Sequence, residues 1–199
     1  MSIPLKLYGG DITASVPEEI AYSLTDASNF REIPDTQEAF IVSNASTSAK
    51  YEKSLIFDLL EYVDNEDYNQ AIATHIEDLV DTDESVSNHF IEQVKDADGQ
   101  QVYISLIEYK NKRRDAKDDD SPTNYITYVS LIRMKKVGTD ALITLNIPLA
   151  SEIEISGLLN SLKSNQSSSD QTIVSLRQTY DWFNELSHTY QVLDGSLFG

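Results

Sequence analysis

The chain has 199 residues, 40% of them hydrophobic, which is enough for a single domain over residues 1–199 with a sizeable buried core. Its 33 acidic and 15 basic side chains give a formal net charge of −18, which predicts repulsion of nucleic acid and of anionic membranes. The lack of cysteine excludes disulfides, thiolate nucleophiles and cysteine-bound metals. A partner is therefore expected to present a basic surface.

The N-terminal sequence lacks a basic segment followed by an apolar one, and no apolar run approaches the length of a membrane span. We therefore expect a cytosolic or nuclear protein that does not bind membranes. The large charge of one sign favours a monomer.

The first part of the chain predicts short strands separated by turns. Leu5–Tyr8 and Ile12–Pro17 are strand-like runs on either side of a Gly-Gly turn. Residues Leu24–Pro34 predict a loop with at most a short helical turn. Glu38–Val42 and Ser54–Leu60 predict two further strands.

A helix is predicted over Glu66–Val80, where apolar residues recur every three or four positions after an acidic start that suits the helix dipole. His75 falls on the apolar stripe, so we expect a partly buried structural histidine there. Asn88–Val94 and Gln101–Tyr109 then predict a hairpin whose Asp-Gly turn lies at 96–99.

A second hairpin follows, from Asn124–Lys135 and Ala141–Ile147 with a turn through Gly138. Two alternating sets of apolar residues occupy its first strand: Tyr125, Val129 and Leu131 on one side, and Ile126, Tyr128 and Ile132 on the other. Strands that are apolar on both faces need covering layers on both faces.

One covering layer is predicted near the C-terminus, where apolar residues form a stripe along a helix of roughly five turns. The stripe consists of Ile173, Leu176, Tyr180, Phe183, Leu186 and Tyr190. The polar segments 110–123 and 162–170 predict mobile loops of unassigned role. The expected fold class is α/β: a three-layer α/β/α sandwich with a mostly antiparallel central sheet, one helix near the middle of the chain and another near its end.

Most sequence motifs of active sites are missing. The chain has no glycine-rich phosphate-binding motif and no Gly-x-Ser-x-Gly motif, which argues against an NTPase or a serine hydrolase. His75, His89 and His188 lack the spacing of a metal-binding helix pair, and the acidic turn at 96–99 lacks the other ligands of an EF-hand loop. We therefore expect no cofactor, no metal and no catalytic residue.

Several fragments together resemble the Ran guanine nucleotide release factor family, the Mog-type nuclear import factors. The fragments are Leu7–Gly10, Arg31–Glu38, Asp58–Glu61, His75–Leu79, Leu131–Arg133, Asn146–Leu149 and Val192–Phe198. The most specific of them is Pro-Asp-Thr-Gln-Glu, and the resemblance extends over nearly the whole chain.

The resemblance implies an α/β/α sandwich similar to the photosystem protein of the PsbP type. It also implies a protein that binds the small GTPase Ran, promotes release of its guanine nucleotide and supports nuclear import, in the nucleus and also in the cytoplasm. The Ran-binding positions that match the family motifs are Arg31, Asp35, Thr36, Gln37, Glu38, Asp58 and Glu61. Their charged members are expected to converge on one exposed patch.

Other interpretations of these residues remain open. Asp35 after a proline is a natural turn residue, and Asp58 and Glu61 share a face only if the chain has left strand geometry between them. An acid–base hydrolase using Asp58 and Glu61 would need a concave pocket in which one carboxyl has a raised pKa. A scaffold or trafficking adaptor with the same fold would bind without releasing a nucleotide.

Overall fold

The computed structural model describes residues 1–43, 50–79, 85–95, 101–110, 122, 124–164 and 166–199. The strands are β1 (Ser2–Leu7), β2 (Ile12–Pro17), β3 (Leu24–Asp26), β4 (Gln37–Val42), β5 (Lys53–Glu61), β6 (Ser85–Lys95), β7 (Gln101–Lys110), β8 (Asn124–Met134), β9 (Thr139–Leu149) and β10 (Gln191–Val192). The helices are α1 (Glu18–Ala21), α2 (Tyr68–Leu79), α3 (Ile155–Ser164) and α4 (Gln171–His188).

Within these residues the strands form two sheets, and every pair in them is antiparallel. The large sheet has the order β3-β4-β5-β9-β8-β7-β6, and the small sheet has the order β1-β2-β10. The predicted hairpins β1–β2, β6–β7 and β8–β9 are confirmed. Local patterns did not reveal that β1–β2 leaves the large sheet and pairs with the end of the chain.

Both faces of the large sheet are covered, as the two apolar sets in β8 predicted. On one face α2 packs its buried side chains against Val129 and Leu131 of β8. On the other face α3, α4 and the small sheet pack against Ile126 and Tyr128. The three-layer α/β/α arrangement is therefore confirmed.

Helix α4 supplies most of the cover on its side of the sheet. The Asp170 carboxylate accepts the N–H of Thr172 at 2.8 Å and so caps the start of the helix. All six residues of the predicted stripe are buried, but Tyr190 lies beyond the end of the helix at His188. The rings of Tyr180 and Phe183 lie 5.3 and 5.9 Å from that of Tyr128, so the helix meets the sheet through aromatic contacts.

The structure differs from the predictions at α3 and β3. The prediction of a loop over 162–170 is wrong at its start, because Leu162 belongs to α3 and is buried in the core. Strand β3 lies inside the segment predicted as a loop, where it pairs with β4. The predicted turn at 96–99 and most of the predicted loop 110–123 lie outside the described residues.

Among the helices that the structure describes, none is both long and apolar enough to cross a bilayer.

Candidate functional site

A tight turn leads into β4 and presents two of the candidate residues to solvent. The N–H of Gln37 donates to the carbonyl of Pro34 at 2.8 Å, which closes the turn and leaves Asp35 and Thr36 exposed at its tip. The N–H of Leu59 donates to the carbonyl of Thr36 at 2.9 Å. The pairing of β4 with β5 therefore continues into the turn, toward the end of β5.

Tyr8 supports this turn from the small sheet. Its N–H donates to the Glu38 carboxylate at 2.7 Å, and its hydroxyl lies 3.0 Å from the carbonyl oxygens of both Thr36 and Phe57. Burial raises the pKa of the Tyr8 hydroxyl well above its usual value, so the group remains a neutral donor. These contacts connect the N-terminal hairpin to the turn and to β5.

Asp58 lies beneath the turn rather than on the surface. Its residue is only 4% exposed, and the side-chain amide of Gln37 donates to its carboxylate at 2.5 Å. Burial raises the pKa of the Asp58 carboxyl, and the hydrogen bond from Gln37 opposes this rise. Gln37 and Asp58 are register partners, so both side chains project to the α2 side of the sheet.

The expectation of one exposed patch is therefore corrected. β5 keeps strand geometry through Glu61, so Asp58 and Glu61 project to opposite sides of the strand. Glu38 pairs with Phe57 and faces Tyr8 on the α4 side, away from Asp58. Arg31, Asp35, Thr36 and Glu61 are exposed. Gln37 and Glu38 are half-buried, and Asp58 is buried.

A cleft of about 420 Å³ opens on the α2 side of this end of the sheet. Its lining includes Gln37, Asp58, Tyr62, Thr74 and His75. Glu61 also borders the cleft, although strand alternation turns its side chain away from that of Asp58. The cleft meets part of the requirement for an acid–base hydrolase, since it is concave and contains a carboxyl with a raised pKa. In the described part of the chain, no cluster of three His, Asp or Glu residues could hold a metal ion.

A buried ion pair fixes the wall of the cleft that follows Glu61. The Asp140 carboxylate lies 3.1 Å from Arg133 Nε and 2.9 Å from His75 Nε2, and it accepts the N–H of Val63 at 3.1 Å. Arg133 also donates to the carbonyls of Val63 and Asn65. We call Arg133, Asp140 and His75 the Arg133 clamp. It holds the segment between β5 and α2 in place.

The same contacts determine the ionisation of Asp140. Burial alone would raise the pKa of this carboxyl. The hydrogen bonds from His75, from the Val63 N–H and from Arg133, together with the charge of Arg133, outweigh burial and hold the pKa below its usual value. The expected structural role of His75 is confirmed, because the ring is buried and bonded to Asp140.

The buried carboxyl of Asp58 predicts a pH-dependent stability difference. Because the folded state raises its pKa, ionisation of Asp58 destabilises the fold at neutral pH, and this penalty disappears below the unfolded pKa of about 3.9. We expect Asp58→Asn, which can still accept from Gln37, to raise the unfolding midpoint at pH 7. The gain should vanish as the pH falls below that value.

Urea unfolding of both proteins across this pH range would measure the effect. Asp35→Asn is the matched control, since it removes the same charge from an exposed position of a chain whose net charge is −18. An equal gain from Asp35→Asn would contradict a role for burial at Asp58, because it would show a general relief of repulsion.

Comparison with known proteins shows which family the chain belongs to. The family model described as Ran-interacting Mog1 protein matches residues 5–148. The chain belongs to the Mog1 family. The match includes the turn before β4, all of β5 and the Arg133 clamp, and it ends before α3 and α4.

Individual Mog1 relatives extend the similarity beyond that segment. The nuclear import protein MOG1 of Saccharomyces cerevisiae is 31% identical over 98% of this chain and 84% of its own length. The Ran guanine nucleotide release factor of Danio rerio is 27% identical over the full length of both proteins. A crystal structure of the Saccharomyces cerevisiae Ran-binding protein Mog1p, 28% identical, matches all of this chain with a TM-score of 0.67.

The resemblance stated from the sequence fragments is therefore confirmed, but two supports of the candidate site were missed. The contact of Glu38 with Tyr8 joins positions far apart in the chain, and no local pattern signals it. Arg133 was noted only as part of a family fragment. A single charged residue in an otherwise uncharged strand, opposite Asp140, was the available signal for the clamp.

Proposed function

We propose that this chain binds the small GTPase Ran, promotes release of its guanine nucleotide and supports nuclear protein import. The observation that carries the proposal is membership of the family described as Ran-interacting Mog1, with relatives named nuclear import protein and Ran guanine nucleotide release factor. In this proposal the chain acts as a single-domain monomer in the nucleus and also in the cytoplasm.

The proposed contact surface consists of the exposed candidates Arg31, Asp35, Thr36 and Glu61. The remaining candidates support it from beneath. Gln37 and Asp58 bond to each other under the turn, and Glu38 ties the turn to Tyr8. Exposed carboxylates on a chain of charge −18 favour a basic partner surface and speed encounter with it.

Nucleotide release needs no covalent chemistry from this chain. A GTPase holds its nucleotide with a P-loop lysine, Mg²⁺ and mobile switch loops. A rigid acidic surface that binds these elements competes with the phosphates for the lysine or the metal. By thermodynamic linkage, a protein that binds nucleotide-free Ran more tightly than loaded Ran lowers the nucleotide affinity by the same factor.

Acid–base hydrolysis is a second candidate function, favoured by the buried Asp58 carboxyl in the cleft. The raised pKa of Asp58 suits such a hydrolase, but the geometry of the two carboxyl groups does not. Asp58 is already bonded to Gln37, and Glu61 projects to the other side of β5. The names of the relatives describe a regulator rather than a hydrolase, so Ran regulation is the better supported function.

The test is release of fluorescent GDP and GTP from purified Ran in the presence and absence of this protein. We expect accelerated release, and loss of the acceleration in the double variant Asp35→Asn/Glu61→Gln with unchanged thermal unfolding, since both side chains are exposed. Binding without acceleration would instead support the adaptor function.

The matched control for each single variant, Asp35→Asn or Glu61→Gln, is Glu19→Gln on α1, which likewise removes one charge. This exposed acidic residue precedes β3. The start of β3 pairs with the end of β4 that lies away from the turn. We expect Glu19→Gln to keep full activity. Equal losses in the control and in either single variant would show a dependence on net charge and would contradict the assigned surface.

A further inference from the structure

Phe30 is a large apolar side chain that the fold leaves in solvent. Its residue is 72% exposed, and it lies between the 3-10 helix Ala27–Asn29 and Arg31. Scattered exposed apolar residues are common and carry no meaning by themselves. Phe30 is distinguished by its position and by the hydrogen bonds that hold the backbone on which it lies.

The backbone that carries Phe30 is held by a set of local hydrogen bonds. The Asp26 carboxylate accepts the N–H of Ser28 at 2.8 Å, and the Asn29 side chain donates to the Asp26 carbonyl at 3.1 Å. The N–H of Phe30 donates to the carbonyl of Ala27 at 3.0 Å. Because this backbone is already ordered, burial of the ring by a partner costs little backbone conformational entropy.

Phe30 also lies at the end of the sheet that carries the proposed contact surface. β3 runs antiparallel to β4 with Asp26 opposite Phe40, so the chain after β3 runs beside the start of β4. The 3-10 helix contacts β4 there. Arg31 and Asp35 follow within a few residues, and both are exposed. Phe30 is thus close in the chain to exposed charged residues of the proposed contact surface.

We infer that Phe30 is the apolar anchor of the Ran contact, with its ring inserted into an apolar depression of the GTPase. This inference rests on the proposed function. Interfaces derive most of their affinity from a few desolvated aromatic or arginine side chains, and the surrounding polar rim contributes mainly orientation and encounter rate. The ring thus supplies affinity, whereas Asp35 and Glu61 supply electrostatic attraction and the competition with the nucleotide phosphates.

Tyr22 offers a matched control in the same part of the chain. It is as exposed as Phe30, at 78%, and its hydroxyl donates to Glu18 at 3.2 Å. It precedes β3 beside the opposite end of β4, where Ser23 accepts the N–H of Ser43. The length of β4, roughly 17 Å, separates it from the turn.

Titration of Ran with the native chain and with Phe30→Ala, Phe30→Leu and Tyr22→Ala at low and high salt would test the inference. We expect Phe30→Ala to weaken binding by about tenfold or more, Phe30→Leu to retain part of the affinity, and Tyr22→Ala to stay within about twofold. Because the ring is uncharged, Phe30→Ala should keep the salt dependence of the native chain, whereas Asp35→Asn should reduce it.

Two results would overturn the inference while leaving the proposed function intact. One is native-like affinity of Phe30→Ala, and the other is an equal loss for Tyr22→Ala. Failure of the native chain to bind Ran would overturn both proposals. If Phe30→Ala has the same thermal unfolding midpoint as the native chain, a loss of affinity does not come from unfolding.

Discussion

Replacing Phe183 with alanine is expected to lower the free energy of unfolding by about 3–5 kcal/mol. The side chain is fully buried where α4 meets the large sheet, and its ring lies 5.9 Å from that of Tyr128, which is also fully buried. The variant loses the transfer free energy of the ring and leaves a cavity that the close-packed helix and sheet cannot fill. Urea unfolding would measure the loss.

Gln178→Ala is the control, because it shortens an exposed side chain on the same helix. Its effect should stay within about 0.5 kcal/mol. A Phe183→Ala variant as stable as this control would contradict the packing of α4 on the sheet. Ran binding by Phe183→Ala should fall only as far as the fraction of unfolded protein rises, since α4 lies outside the proposed contact surface.

Breaking the Arg133 clamp is expected to have an effect of similar size. Asp140→Ala leaves the Arg133 guanidinium, whose side chain is almost fully buried, without its carboxylate partner. Removing one member of a buried ion pair costs about 3–5 kcal/mol, because the remaining buried charge no longer has an opposite charge beside it. The variant also frees the Val63 N–H, so the segment between β5 and α2 loses a support as well.

The contribution of Asp140 should also depend on pH. The pKa of the Asp140 carboxyl is lower in the folded state than in the unfolded state. Its contribution to the free energy of unfolding is therefore complete above the unfolded pKa of about 3.9, and it is lost as the pH falls through the folded pKa. The stability difference between the native chain and Asp140→Asn should therefore narrow in acid, as urea unfolding at a series of pH values would show.

Lys135→Ala provides a comparison at the edge of the same segment. Lys135 pairs with Glu66, but both side chains are exposed, and such pairs contribute little to stability. Its unfolding midpoint should match that of the native chain. An equal loss in the Lys135 and Asp140 variants would mean that burial does not decide the strength of these pairs.

Local patterns predicted most of the large sheet. Alternating apolar residues in β8 predicted both its strand geometry and the need for two covering layers, because the period of two is set by the backbone itself. Helix α3 was missed although Ile155, Leu158 and Leu162 recur at helical spacing and pack against the core, because the prediction began a polar loop at Leu162. Strand β3 is three residues long and has no period to detect.

The candidate site was predicted less completely than the fold. Family motifs identified the turn before β4 and the end of β5, but they do not tell which side chains reach solvent. Strand alternation separates Asp58 from Glu61, whereas the burial of Asp58 depends on α2 and on the segment after Glu61. Contacts such as Glu38 with Tyr8 arise from tertiary packing, which a single sequence does not encode in any local period.

The strand order has a consequence for how the protein is made. β5 is followed in the sheet by β9, with Leu55 opposite Leu145, so one edge of β5 has no partner until most of the chain has left the ribosome. Such distant pairings slow folding, and an unpaired strand edge favours aggregation. One edge of β2 pairs still later, with β10, where Ile12 lies opposite Val192. Chaperone occupancy of the nascent chain should therefore persist until β9 emerges.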